Sequence, residues 1–408
     1  MSRRFCFCLL LAASVGAARA DQVIDWNGIA ASVAAAAGQN GIVQTRTYAI
    51  VHIAMHDAVN AVERRHRPYL LEARPGGPAS AAAALAAAAQ TTLAELVPTQ
   101  RAAIDTAYET ALAALPDDPA KSNGIAVGRA AAAAILARRS NDGFTATVAW
   151  TEGILPGQYR PTAPANAPAL LPHWGQVLPF TMRSADQFRT EPPPDLFSAK
   201  YAAEVNEIML VGGAQSMLRT NEQSEIARYW YESSAQGWNR IARNIADRSG
   251  AGIWRNARLF ALLNVAMAEG YIAGFDSKYY YNFWRPITAI REAHLDGNPE
   301  TEGDPGWNSY LVAPPVPDWP STHSVLGAAA AAVLADFFGT DMIAFEMTSG
   351  PPYGGVTRRF YSFSEAALEN ANSRVLAGIH FRAACVSGLE QGRKIGEYVL
   401  ENYFQPIR

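Results

Sequence analysis

The chain is poor in cysteine. It has three in 408 residues, and two of them, Cys6 and Cys8, lie in the first ten. That leaves Cys385, which excludes an intrachain disulfide framework and any cysteine-based metal site in the body of the protein. Cys385 reads as a small buried apolar residue. Net charge is also scarce: 34 Lys and Arg face 37 Asp and Glu, a formal −3. A surface so balanced offers no global attraction to nucleic acid or an acidic membrane, so any anion site must be built locally. Long apolar runs are missing too. The Ala-rich stretch from Ala79 to Ala89 is short and weakly hydrophobic, and no stretch after the N-terminus reads as a transmembrane helix. The chain also lacks the signature of disorder, with 49% hydrophobic and only 17% charged residues, so a substantial core is expected.

The first twenty residues read as a secretory leader. Arg3 and Arg4 supply a positive start, Phe5 to Val15 a short apolar run, and Ala18-Arg19-Ala20 a small-x-small cleavage site. The alternative is a retained N-terminal anchor. Cleavage before Asp21 removes three arginines and takes the net charge from −3 to about −6. The expectation is a secreted or periplasmic protein whose residues 21–408 form a single helical domain.

Helical patterning dominates the rest of the chain. Apolar residues recur at helical spacing over Thr45 to Val62. Ala79 to Leu96, Thr99 to Leu115 and Ala120 to Ala137 are rich in alanine, the best helix former. Further helices are expected at Ala199 to Leu210, Glu222 to Glu232, Trp254 to Asp276, Ser324 to Phe338, Ser364 to Leu376 and Ala383 to Tyr403. Lys278 to His294 should form another, bent near Pro286. Ser362 and Glu365 have the spacing of a capping box. Alternating strand patterns are scarce, so the fold class is all-α, a helical bundle. Thr151 to Asp195 differs: its many prolines stop regular helix, yet it carries Leu170, Leu171, Trp174, Val177, Leu178 and Phe180. Apolar groups of that number suit an ordered loop packed on the body, over a pocket, better than a solvated linker.

The chemistry concentrates in residues 278–380. Lys278 and Arg285 are seven apart, so a continuous helix would project both cations from one face, among aromatics. Two such cations suit an anion with several oxygens. Ser321, Thr322 and His323 follow Pro317-Asp318-Trp319-Pro320 and precede an apolar helix. They therefore sit at a helix N-terminus, where free amides favour an anion and His323 can exchange a proton. Arg374 and His380 are six apart and share a face only if the helix ends between them, for which Gly378 is the natural place. Each motif alone has a plainer reading: cations snorkelling on a solvated face, an N-cap serine, a histidine at a helix end.

Together, Lys278-x6-Arg285-Pro286, Pro320-Ser321-x-His323 and Ser373-Arg374-x3-Gly378-x-His380 resemble the vanadium-dependent haloperoxidase and type 2 phosphatidic acid phosphatase superfamily. Arg46 to Asn60 is similar to the early helix of its bacterial haloperoxidase-like branch, and Trp174 to Phe180 to its mid-chain loop. The resemblance implies that Lys278, Arg285 and Arg374 neutralise the equatorial oxygens of vanadate or phosphate, assisted by Ser321 and the Thr322 amide. It implies His323 as acid/base, and His380 as axial vanadium ligand or, in a phosphatase, as nucleophile. Two departures stand out. Thr322 occupies a position where the family has glycine, which sets a side chain where it could crowd the pocket. Ala384 occupies the place of an aspartate four residues after the last histidine, removing the expected carboxylate partner of His380. Val316, five before Ser321, stands where an aromatic or histidine is frequent.

The resemblance implies a vanadate-dependent peroxidase that uses hydrogen peroxide to oxidise a halide or a small organic substrate, with nucleic acid not among its partners and a homodimer left open. The alternatives are an acid phosphatase working through a phospho-histidine, and a non-catalytic periplasmic oxyanion-binding protein. His52 and His56 have the spacing of a two-histidine zinc site, but no third ligand is evident. A core or pocket-lining role fits them better. Asp276 could orient a basic residue, and Tyr279 to Tyr281 read as packing.

Overall fold

The computed structural model describes residues 21–407; the leader expected at 1–20 lies outside the described residues. Asp21 caps α1 (Gln22–Ala36) and Asn40 caps α2 (Gly41–Val62), each through its side-chain oxygen. Next come α3 (Ala81–Leu96), α4 (Arg101–Ala113) and α5 (Pro119–Arg139). The proline-rich segment leads into α6 (Ala199–Val211), α7 (Asn221–Tyr229), α8 (Ser234–Ser249), α9 (Ile253–Tyr281) and α10 (Pro286–Arg291). The chain ends with α11 (Thr322–Phe338), an antiparallel hairpin of β1 (Phe345–Thr348) and β2 (Thr357–Phe360), α12 (Phe363–Leu376) and α13 (Arg382–Asn402). The architecture is the expected helical one.

Helix α9 is the axis of the core. It packs against α2, α11 and α13, and from Leu259 to Phe275 every side chain is buried. By length and composition it could cross a membrane, but 94% of its most apolar window is buried inside the protein, as befits a helix that is hydrophobic all round.

Glycine sets how closely the helices approach. A Cβ on Gly128 of α5 would lie 2.1 Å from Ala84 O of α3. On α13, a Cβ at Gly388 would lie 2.5 Å from Ser321 O, and one at Gly392 2.0 Å from Val325 O. The two helices thus touch at the backbone, and the Ser321 amide donates to Ala384 O at 3.0 Å. That contact fixes the start of α11 against the start of α13, so the second and third motifs meet.

The proline-rich loop is ordered and packed on the body, as its apolar content predicts. Trp174, Val177, Phe180 and Met182 are buried. Glu269 of α9, itself fully buried, accepts hydrogen bonds from the Thr181 amide, from Thr181 Oγ1 at 2.6 Å and from the Met182 amide at 2.8 Å. Asp276 takes both ends of the Arg189 fork, at 2.7 and 2.9 Å, so it does orient a basic residue. Trp319 Nε1 donates to Thr190 Oγ1 and Glu191 O, both at 3.0 Å, which lays the loop beside the second motif.

Some elements differ from expectation. α1, α8 and the hairpin have no counterpart in the sequence pattern. α8 buries Trp238, Ile241, Ala242, Ile245 and Ala246 as one stripe, but Ser233, Ser234 and Gly237 dilute the helical signal at its start. The strands have four residues each, too short for alternation to register. A further difference, at Lys278 to His294, bears on the site.

Replacing Gly392 with alanine drives a methyl into the backbone of α11. Gly392→Ala is expected to lower unfolding free energy by roughly 1–3 kcal/mol, measured by denaturant titration.

Candidate active site

The Lys278 to His294 segment is not one bent helix. α9 runs on to Tyr281 and stops where Asn282 takes a left-handed conformation, φ 49°. Arg285 is extended and caps α10, with Pro286 at the first helical position. Lys278 and Arg285 therefore do not share a helix face. They converge because the chain reverses between them.

Both reach the segment from Pro314 to Asp318. Lys278 Nζ donates to Pro317 O at 2.7 Å and Asp318 O at 3.0 Å. Arg285 donates from Nε to Val316 O at 2.7 Å, from NH1 to Ile379 O at 2.7 Å and from NH2 to Pro314 O at 3.2 Å. Prolines at 314, 315, 317 and 320 remove amide donors and leave carbonyls, which suit cations. The carbonyls orient these side chains without neutralising them.

The second motif is placed as expected. Ser321 caps α11 and Thr322 is its first residue, so the opening amides lack intrahelical partners. Ser321 Oγ accepts only a long 3.5 Å contact from the Ser324 amide, which leaves its proton free to donate. Thr322 does not crowd the site with its methyl. Its Cγ2 sits where Gly274 of α9 has no Cβ; one there would lie 2.7 Å away. His323 is half-buried, and its Nε2 lies 3.2 Å from Glu232 O. A carbonyl only accepts, so Nε2 carries the proton and Nδ1 is the basic nitrogen.

The third motif is also placed as expected. α12 ends at Leu376, and Gly378 at φ +76° turns the chain. A Cβ at Gly378 would lie 2.1 Å from Gly212 O, so this turn requires glycine twice over. Arg374 makes one long contact, NH1 to Trp230 O at 3.4 Å, and its buried Nε has no partner.

His380 is the centre of the cluster. Arg285 NH1 lies 3.0 Å from its Nε2, and Asp318 Oδ1 lies 2.9 Å from its Nδ1. Asp318 Oδ1 is also 3.7 Å from Arg285 NH1. Neither of the Asp318 contacts is aligned as a hydrogen bond. Ala384 leaves His380 without the carboxylate expected four residues on. The structure brings Asp318 to it from the second motif.

Lys278, Arg285, Asp318, Ser321, Arg374 and His380 are all at most 2% exposed. Burial holds the Lys278 amine well below its usual range, with Arg285 as the next cause. Burial lowers Arg374 to about 10. Burial, then the field of Arg374, depresses His323; burial, then Arg285, Lys278 and Arg374, depresses His380. Burial pushes Asp318 up to about 7 against the pull of Arg285 and Lys278. Arg285 and Lys278 thus share the Asp318 carboxylate, Arg374 has no acidic partner among the described residues, and the cluster is short of negative charge.

Other candidates lie elsewhere. His52 pairs with Asn27 Nδ2 at 2.8 Å and stacks on Phe260, while His56 lies 3.2 Å from Asp57. Tyr279 and Tyr281 donate to Leu170 O and Thr190 O of the loop. Cys385 is buried, its thiol pushed up to about 12 by that burial. Sequence reasoning missed Asp318 and the segment Trp230–Glu232. The latter receives Arg374 and His323 through carbonyls and places the half-buried Tyr231 ring 5.7 Å from the Arg374 guanidinium. Only the aromatic run Tyr229-Trp230-Tyr231 hinted at it.

Comparison with known proteins points one way. Residues 258–408 match the VCPO second helical-bundle domain. A vanadium chloroperoxidase from Curvularia inaequalis is 27% identical over 279 residues, 52% of this chain and 45% of that protein. The match thus spans about half the length of this curated relative. The solved structure of a bacterial vanadium-dependent iodoperoxidase superposes with a TM-score of 0.80 at 27% identity, covering 95% of this chain and 96% of that one. A holo-type bacterial vanadium-dependent chloroperoxidase shares the fold at 18% identity, with a TM-score of 0.72 over 89% and 91% of the two chains. Motifs, fold and sequence are thus all similar to those of the vanadium haloperoxidases.

Proposed function

We propose that the chain is a vanadate-dependent haloperoxidase-like enzyme. The observation that carries this reading is the buried cluster of Lys278, Arg285 and Arg374, oriented by backbone carbonyls and opposed by one carboxylate. Such a cluster is costly unless an anion completes it. The donor set suits a tetrahedral oxyanion: two forked guanidiniums, one ammonium, the Ser321 hydroxyl and the amides opening α11. The unpartnered Arg374 Nε is the donor left over for it.

Vanadate would be held by Lys278, Arg285 and Arg374 on its oxygens, by Ser321 and the Thr322 amide, and by His380 as the ligand to vanadium. When bound there, vanadate would supply Lewis-acid chemistry toward hydrogen peroxide, for oxidation of a halide or an organic nucleophile. The protein's part is positioning and proton handling. His323 Nδ1 takes or gives the proton while Nε2 stays anchored on Glu232 O. The cations stabilise negative charge without having to reorganise. The half-buried Tyr231 offers an apolar face beside Arg374 for the substrate. The leader expected at 1–20 supports action outside the cytoplasm.

Phosphomonoester hydrolysis is the second reading. Asp318 favours it, because a carboxylate against Nδ1 is what an imidazole nucleophile needs.

Purified protein loaded with orthovanadate should brominate a phenolic dye or oxidise an organic substrate with peroxide. Inactivity from pH 4 to 8 contradicts the leading reading, and vanadate-inhibited ester hydrolysis favours the second. In the active enzyme, His323→Ala should lower kcat by about 10²-fold or more. Phosphate or vanadate at about 100 times its Kd should stabilise the fold by about 2.7 kcal/mol in thermal melts. Arg374→Ala should weaken that binding by about 2 kcal/mol or more, roughly 30-fold.

A further inference from the structure

We propose that Asp318 is the positioning residue for His380, taking over from a second place in the chain the work of the carboxylate absent at Ala384. The inference rests on the oxyanion-cage reading and deepens it.

Four observations converge. Asp318 Oδ1 lies 2.9 Å from His380 Nδ1, against 3.7 Å from Arg285 NH1, and both Asp318 and His380 are out of solvent. Neither carboxylate oxygen is committed to an aligned hydrogen bond elsewhere, although the Phe381 amide also acts on the group. Nothing at Ala384 can do this work: its side chain is a buried methyl, and its carbonyl is engaged by the Ser321 amide. The Asp318 backbone is pinned at both ends, its amide on Phe283 O at 2.8 Å and its carbonyl on Lys278 Nζ at 3.0 Å, so the carboxylate is held in place.

The chemical consequence is a choice of tautomer. A carboxylate at Nδ1 keeps the proton there and leaves the lone pair on Nε2. Arg285 NH1 is a donor only and lies nearer Nε2, at 3.0 Å, than Nδ1, at 3.4 Å, so it favours the same tautomer. A ligating or nucleophilic histidine needs that lone pair, and a carboxylate behind the ring raises its basicity and fixes its orientation. The segment that orients the first two cations through carbonyls therefore also orients the histidine, through its one acidic side chain.

The test uses the full chain as wild type, Asp318→Asn, Asp318→Ala and Asp318→Ala/Ala384→Asp. Orthovanadate affinity is measured by titration calorimetry, and the His380 tautomer by ¹⁵N NMR of the empty protein. Asp318→Ala should weaken orthovanadate binding roughly 10–100-fold and redistribute the His380 proton between Nδ1 and Nε2. Asp318→Asn, which keeps the side chain's shape, should weaken binding with the melting temperature near wild type. The double variant should recover part of the affinity lost in Asp318→Ala. Affinity within twofold of wild type in both single variants overturns the proposal, as does a His380 tautomer ratio in Asp318→Ala that is unchanged from wild type. A double variant that folds but binds no better than Asp318→Ala overturns the replacement. Failure of wild type to bind orthovanadate overturns the cage reading instead, and the tautomer then still decides the role of Asp318.

Discussion

The site depends on cations held by neutral groups. Lys278 and Arg285 are buried and hydrogen-bonded, yet backbone carbonyls, not acids, set their positions. A carboxylate for each cation would give the same order and cancel the charge. Carbonyls give orientation and leave the field in place. The proline-rich stretch 313–320 suits this task because it has few amides and several free oxygens. On the proposed reading, a bound oxyanion would remove an electrostatic cost already built into the fold.

Helix packing serves the same end. Gly388 and Gly392 bring α13 against the backbone of α11, and Gly274 makes room for the Thr322 methyl. Glu269 and Asp276 hold the long loop on α9, and Trp319 ties that loop to the second motif. Helix starts and ends are therefore set by contacts that leave little slack. A shift of α13 along α11 would move Ser321 and His380 together.

Much of this is legible in the sequence, for identifiable reasons. Ser321 at a helix start and Gly378 as a stop between Arg374 and His380 follow from local rules about caps and left-handed turns. The apolar content of the proline-rich loop is enough to show that it packs. What is not legible depends on the chain folding back on itself. Lys278 and Arg285 converge through a reversal at Asn282, where spacing suggests one continuous face. Asp318 reaches His380 across 62 positions of sequence, and no local pattern distinguishes it from an ordinary acid before a tryptophan. The accommodation of Thr322 is equally non-local, because the compensating change is an absence at Gly274. Trp230 and Glu232 contribute only carbonyls to Arg374 and His323, which side-chain identity does not encode.

The central claim is that an oxyanion completes this cluster of cations and is ligated through His380. Titration of the protein with orthovanadate, followed by ⁵¹V NMR, tests it directly. The account predicts one bound vanadium signal per chain, displaced by phosphate and lost in His380→Ala. A spectrum showing only free vanadate species at millimolar protein would contradict it.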